Sequence, residues 1–148
     1  MGGAKGERAV LLMAYGTPDR LEDVEAYFTH IRGGRTPSPE SVANLRQRYA
    51  RVGGGTPLLQ ITEEVRRRLE AELAAAGAPQ RVYLGMKHWH PYIAQTLQTM
   101  RDDGARAVTA VALAPHYSRI SIGGYRKAVD EKMAELGSPF ELRFVDHW

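Results

Sequence analysis

The chain has 148 residues, enough for one domain that buries about 68–70% of the surface its unfolded form exposes. Hydrophobic residues make up 43%, charged 25% and aromatic 8%, a globular composition that excludes a disordered or fibrous chain. Lys and Arg total 20 against 17 Asp and Glu, an excess too small to imply nucleic acid, and the absence of cysteine excludes disulfides, thiolate zinc sites and a cysteine nucleophile.

The first element in chain order is the apolar run Ala9–Ala14, bounded by charge before it and by Gly16-Thr17-Pro18 after it, which predicts a strand buried on both faces. Leu21, Val24, Phe28 and Ile31 follow at helical spacing. Ser38-Pro39-Glu40 is a cap followed by proline at the first helical position, opening a helix to about Val52. A third helix is expected from Gln60 to about Ala76, with Ile61, Val65, Leu69 and Leu73 as its inward stripe. The run Val82–Met86 predicts a second strand, Pro91–Asp103 a helix, Ala107–Leu113 a third strand, Gly124–Leu136 the last helix and Glu141–Val145 a fourth strand. Strands alternating with helices predict an α/β fold: a parallel, four-stranded, Rossmann-like sheet in three layers, with a helical insertion after the first strand. Residues 1–148 form a single domain on this reading. No apolar stretch approaches the ~18 residues of a membrane span, and Met1–Arg8 lacks the apolar block of a signal peptide, so a cytoplasmic protein is expected.

In open parallel sheets ligands sit at the carboxyl ends of the strands. Those ends carry Tyr15-Gly16-Thr17-Pro18, Lys87-His88-Trp89-His90 and Pro115-His116-Tyr117-Ser118. The Tyr15 phenol could ligate iron, given a raised phenolate fraction, or could simply pack at a loop mouth. Gly53-Gly54-Gly55-Thr56-Pro57 lacks the Gly-Lys-Ser/Thr ending of a phosphate loop; it reads as a place where a planar ligand approaches the backbone, or equally as a helix terminator. Arg32, Arg35, Arg46, Arg48 and Arg51 crowd the insertion, with Tyr49 between Arg48 and Arg51. Guanidinium beside an aromatic suits a flat ligand bearing carboxylates, whereas the alternative is a solvated basic face. His88 and His90 would share a direction if their strand continued, making a metal pair or a loop cluster; His116 is an acid-base group or a satisfied histidine. The Gly-x-Ser-x-Gly elbow of a hydrolase and the Gly-x-Gly-x-x-Gly of a nucleotide site are both absent.

Several segments together resemble one family. Leu12–Pro18, Tyr27–Arg35, Arg48-Tyr49, Gly53–Leu58, Gln60–Thr62, Gly85–His88 and Leu113–Ser118 are similar, in order, to the ferrochelatases, and the likeness runs from about Val10 to Trp148. Tyr15 and the Arg48-Tyr49 pair resemble the coproporphyrin ferrochelatases of monoderm bacteria. The resemblance implies a chelatase-like fold and a lyase that inserts Fe²⁺ into a porphyrin, coproporphyrin III, in haem biosynthesis, with no tightly bound cofactor. It implies that Tyr15 is the proximal ligand to the iron of the bound porphyrin. It also implies that Arg32, Arg48, Tyr49, Thr56 and Tyr125 contact the macrocycle or its propionates. Thr56 stands where a serine is common. Ferrochelatases have two similar lobes with the porphyrin between them, and the likeness covers the first lobe. The metal-handling histidine and glutamate belong to the second, so no catalytic residue is assigned here. The resemblance therefore implies the porphyrin-binding lobe with a second-lobe partner; a half-size homodimeric chelatase and a non-catalytic tetrapyrrole-binding module are the alternatives.

Overall fold

The computed structural model describes residues 8–114 and 116–148. Residues 1–7, with the expectation about a signal peptide, and Pro115 of the third carboxyl-end motif lie outside the described residues.

Four strands, β1 (Arg8–Ala14), β2 (Arg81–Met86), β3 (Ala107–Ala112) and β4 (Glu141–Val145), form one sheet in the order β2-β1-β3-β4. Every pairing is parallel, as the alternation of strands and helices predicts. Side chains alternate across a strand, so β1, inside the sheet, must be apolar on both faces. Ala9, Leu11 and Met13 enter one core, against Ile93, Leu97 and Met100 of α4 (Ile93–Asp102) and Ile122, Val129 and Met133 of α5 (Ser121–Glu135). Val10, Leu12 and Ala14 enter a second core with Val82, Leu84 and Met86, against which Leu69 and Leu73 of α3 (Leu58–Ala75) pack. Helices on both faces make the three layers. Val111 and Leu113 on the α3 side are only partly buried.

Between β1 and β2 the chain forms a 3-10 turn (Leu21–Asp23), α1 (Val24–Ile31), α2 (Pro39–Arg51) and α3. Ser38 caps α2, its side chain accepting from the Ser41 N–H at 3.2 Å. Helix starts differ from the predicted ones for local reasons. α3 begins at Leu58 rather than Gln60. α4 begins at Ile93 rather than Pro91, because the Pro91 carbonyl accepts the Met86 N–H at the edge of β2 and Gln95 accepts the Tyr92 N–H. α5 begins at Ser121 rather than Gly124, because Ile122 is buried in the core and carries two glycines into the first turn.

The inward stripe of α3 is also rotated from the predicted one. Ile61 and Val65 are 55% and 39% exposed, and Thr62, Arg66, Leu69 and Leu73 face the sheet. The cause lies at the free edge of β2. Glu70 accepts the Val82 N–H at 2.7 Å, and Arg66, paired to Glu63 and Glu70, donates to the Val82 carbonyl at 3.1 Å. These side chains satisfy edge groups that would otherwise be open to another strand. Among the described residues, no helix is long and apolar enough to cross a membrane.

Leu11 is fully buried at the centre of the sheet. Leu11→Ala is expected to cost about 2–5 kcal/mol of unfolding free energy, read as a lower urea midpoint at unchanged slope.

Candidate functional site

In the order β2-β1-β3-β4, the chain leaves β1 to one side and crosses back from β2 to β3, so the carboxyl ends of β1 and β3 flank the switch point. The parallel ladder continues past the strands there: the Lys87 N–H donates to Ala14 O and the His88 N–H to Tyr15 O, each at 2.9 Å. Gly16, at φ +89°, makes this possible, since a Cβ on it would lie 2.9 Å from the Trp89 nitrogen. Trp89 is fixed in turn by its indole N–H, which donates to Asp19 at 3.1 Å.

Tyr15 is 44% exposed, so it stands on the surface at the switch point and not in the interior. Its ring meets His88 edge-on at 4.7 Å, and the Lys87 ammonium lies 6.0 Å from its centroid and 5.3 Å from that of Tyr125. Tyr27, buried, joins Tyr49 and Trp89 edge-on at 6.2 Å each. Partial burial, and after it the Tyr49 phenol, raises the Tyr15 pKa, so its surroundings disfavour the phenolate that iron ligation needs. Burial, then Tyr15, pushes Tyr125 up to about 12. Burial raises Tyr27 as well, with Tyr49 adding to it. Lys87 is lowered by burial.

The other expected residues are placed as follows. Arg32, just past α1, is exposed, with its guanidinium carbon 5.8 Å from the Phe28 ring. Arg48 is exposed in the last turn of α2, whereas Tyr49 turns inward to Tyr27. Arg46 is directed elsewhere, donating to Leu21 O at 3.3 Å. Among the described residues, none of Arg32, Arg35, Arg46, Arg48 and Arg51 has a carboxylate within 4.0 Å, while the arginines of α3 are paired. Thr56 reaches the β1 exit, its hydroxyl 2.6 Å from that of Thr17. The glycine loop serves the chain itself. Gly53 and Gly54, at φ +93° and +87°, close α2, and a Cβ on Gly55 would fall 2.8 Å from the Asp19 carbonyl oxygen. Tyr125 is 4% exposed and lies in the core beneath Lys87.

The histidines do not make a strand pair. β2 ends at Met86, and His88 turns to His30, their Nδ1 atoms 3.0 Å apart with one ring donating and the other accepting. His30 stacks on Tyr92 at 4.8 Å; His90 is exposed near Gln95, and His116 is exposed. Among the described residues, no three His, Cys, Asp or Glu side chains are grouped to hold a metal ion. Sequence reasoning did not single out Lys87 or Tyr27. Tyr27 was findable, three residues after the buried Val24; the placement of Lys87 needs a helix far along the chain.

A family profile described as Ferrochelatase matches residues 7–148. The chain is similar to a ferrochelatase of Herpetosiphon aurantiacus, 50% identical over 141 residues, covering 95% of this chain and 46% of that protein. It is similar to coproporphyrin III ferrochelatases of Oceanobacillus iheyensis and Geobacillus kaustophilus, each 42% identical over 146 residues, covering 97% of this chain and 46% of the relative. The chain thus spans about half the length of these relatives.

Burial first, then the Lys87 and His30 charges, depress the His88 pKa from 6.5 to about 4. Between those values the unfolded chain takes up a proton that folded His88 refuses, so its contribution to stability is whole above pH 6.5 and is lost as pH falls toward 4. His88→Gln is expected to flatten the melting-temperature profile over that window, measured by calorimetry against pH.

Proposed function

The chain belongs to the ferrochelatase family, and from that premise we propose that it is the porphyrin-binding half of a coproporphyrin ferrochelatase, which inserts ferrous iron into coproporphyrin III in the cytoplasm during haem biosynthesis. The observation that carries this reading is the exposed Tyr15 phenol at the switch point, beside an insertion whose arginines have no carboxylate partners among the described residues. A guanidinium fork binds a carboxylate bidentately, so Arg32 and Arg48 are suited to the propionates at the rim. Tyr49 and the Thr56 hydroxyl supply polar contacts beside them, and Tyr125 forms the floor under Lys87.

The reaction removes two protons from the porphyrin and places Fe²⁺ on the four nitrogens. Grip and orientation come from this half, since holding the ring in register converts a bimolecular encounter into an intramolecular step. Tyr15 faces the ring centre from one side. Burial favours its phenol form, and we assign it as the proximal ligand to the iron of the bound porphyrin. The base that takes the pyrrole protons is not supplied by His88. That imidazole is engaged with His30, and at a pKa of about 4 it is a weak base. Proton removal and metal delivery are assigned to the remaining half, which closes over the carboxyl-end surface where Tyr15, Tyr117, Ile120 and Trp148 stand exposed.

Titration with coproporphyrin III and with its iron form, with and without added Fe²⁺ and alongside a solution mass, tests this. The expected result is a Soret shift at one porphyrin per chain with little turnover, and Tyr15→Phe changing the spectrum of the iron form more than its affinity. Rapid insertion by a monomer would overturn the division of labour. A stable dimer with insertion activity would identify a half-size chelatase instead, and binding without insertion even when the second half is supplied would identify a carrier.

A further inference from the structure

Gly124 lies inside α5, where a glycine costs stability and no positive φ demands one. Its neighbour gives the reason. A Cβ built on Gly124 would fall 2.2 Å from the Lys87 Nζ and 2.7 Å from its Cε, so the end of that lysine occupies the space a side chain would take. From that seat the ammonium is 5.3 Å from the Tyr125 ring centroid and 6.0 Å from that of Tyr15, within cation–π reach of both. Among the described residues no carboxylate lies within 4.0 Å of it, and the two rings are its neighbours. Gly123, next in the same turn, has nothing within 4 Å of its Cβ position.

We propose that Gly124 is a positioning residue: by lacking a Cβ it admits the Lys87 ammonium to a seat on the Tyr125 and Tyr15 rings, and so fixes a positive charge on the face that Tyr15 presents to an anionic macrocycle. The inference rests on the porphyrin reading for its ligand but not for the seat itself. The atoms a new Cβ would meet are the far end of a flexible side chain, so a substitution displaces the lysine head and leaves the fold intact. Alanine is also the better helix former, so stability and binding should move in opposite directions.

The test compares Gly124→Ala and Gly124→Ser with Gly123→Ala in the 148-residue chain. Without ligand, the Lys87 ε-methylene protons in the wild type are expected upfield, under the ring currents of the two tyrosines. They should move to the position of a free lysine in both Gly124 variants and stay in place in Gly123→Ala. Both alanine variants should melt a few degrees higher. The dissociation constant for coproporphyrin III should rise about tenfold in the Gly124 variants, the size expected for one charge-assisted contact, and the gap should narrow as salt is added. In a Lys87→Met background the further Gly124→Ala change should cost no affinity. Unmoved ε-methylene resonances, or equal affinity in Gly124→Ala and a wild type that binds, would overturn the proposal. Failure of the wild type to bind coproporphyrin at all would sink the porphyrin reading and the affinity half with it, while the resonances would still decide whether Gly124 seats the lysine.

Discussion

Two chain exits meet at the carboxyl edge of the sheet, and the site depends on how closely they approach. The ladder of β1 and β2 runs on through the Lys87 and His88 amides to the carbonyls of Ala14 and Tyr15. Gly16 leaves no room for a Cβ against Trp89, and Trp89 is held by Asp19. This brings the Tyr15 phenol to within 4.7 Å of the His88 ring and 6.0 Å of the Lys87 ammonium, just past the ends of two strands. Backbone hydrogen bonds in a sheet are rigid, so the three groups inherit their geometry from the fold itself.

The charges on that surface are unevenly paired. Burial and neighbouring phenols hold the tyrosines protonated, Lys87 and the α1–α2 arginines have no carboxylates beside them among the described residues, and His88 is held neutral. A cation with no carboxylate in contact is open to an anionic group, while Asp19, Glu22, Asp23, Glu25 and Glu40 in the same insertion keep its overall charge close to balance. The chain spans about half the length of its ferrochelatase relatives, and the α3 side of its sheet is only partly covered beyond β1.

Much of the architecture was legible in the residues. Ala9–Ala14 is apolar without interruption because a strand inside a parallel sheet meets a core on both faces, and Ser38-Pro39 marks the start of α2 by the chemistry of caps. The rotation of α3 was not legible. Ile61 and Val65 look inward by period, yet Arg66 faces in to reach the edge of β2, a demand set by a strand that follows it in the chain. The start of α5 was hidden by two glycines, one of which leaves room for a lysine more than thirty residues earlier in the chain.

The sequence by itself determined the fold class, the family and the candidate groups, because hydrophobic period, caps and ordered motifs are local properties that survive without coordinates. Tertiary structure decided which groups meet. It set Lys87 between Tyr15 and Tyr125, turned His88 to His30 and away from His90, closed the glycine loop onto the chain's own backbone, and sank Tyr125 below the surface. Each of those outcomes depends on strand order and on how near two distant segments come, and neither quantity is written in any short stretch of residues.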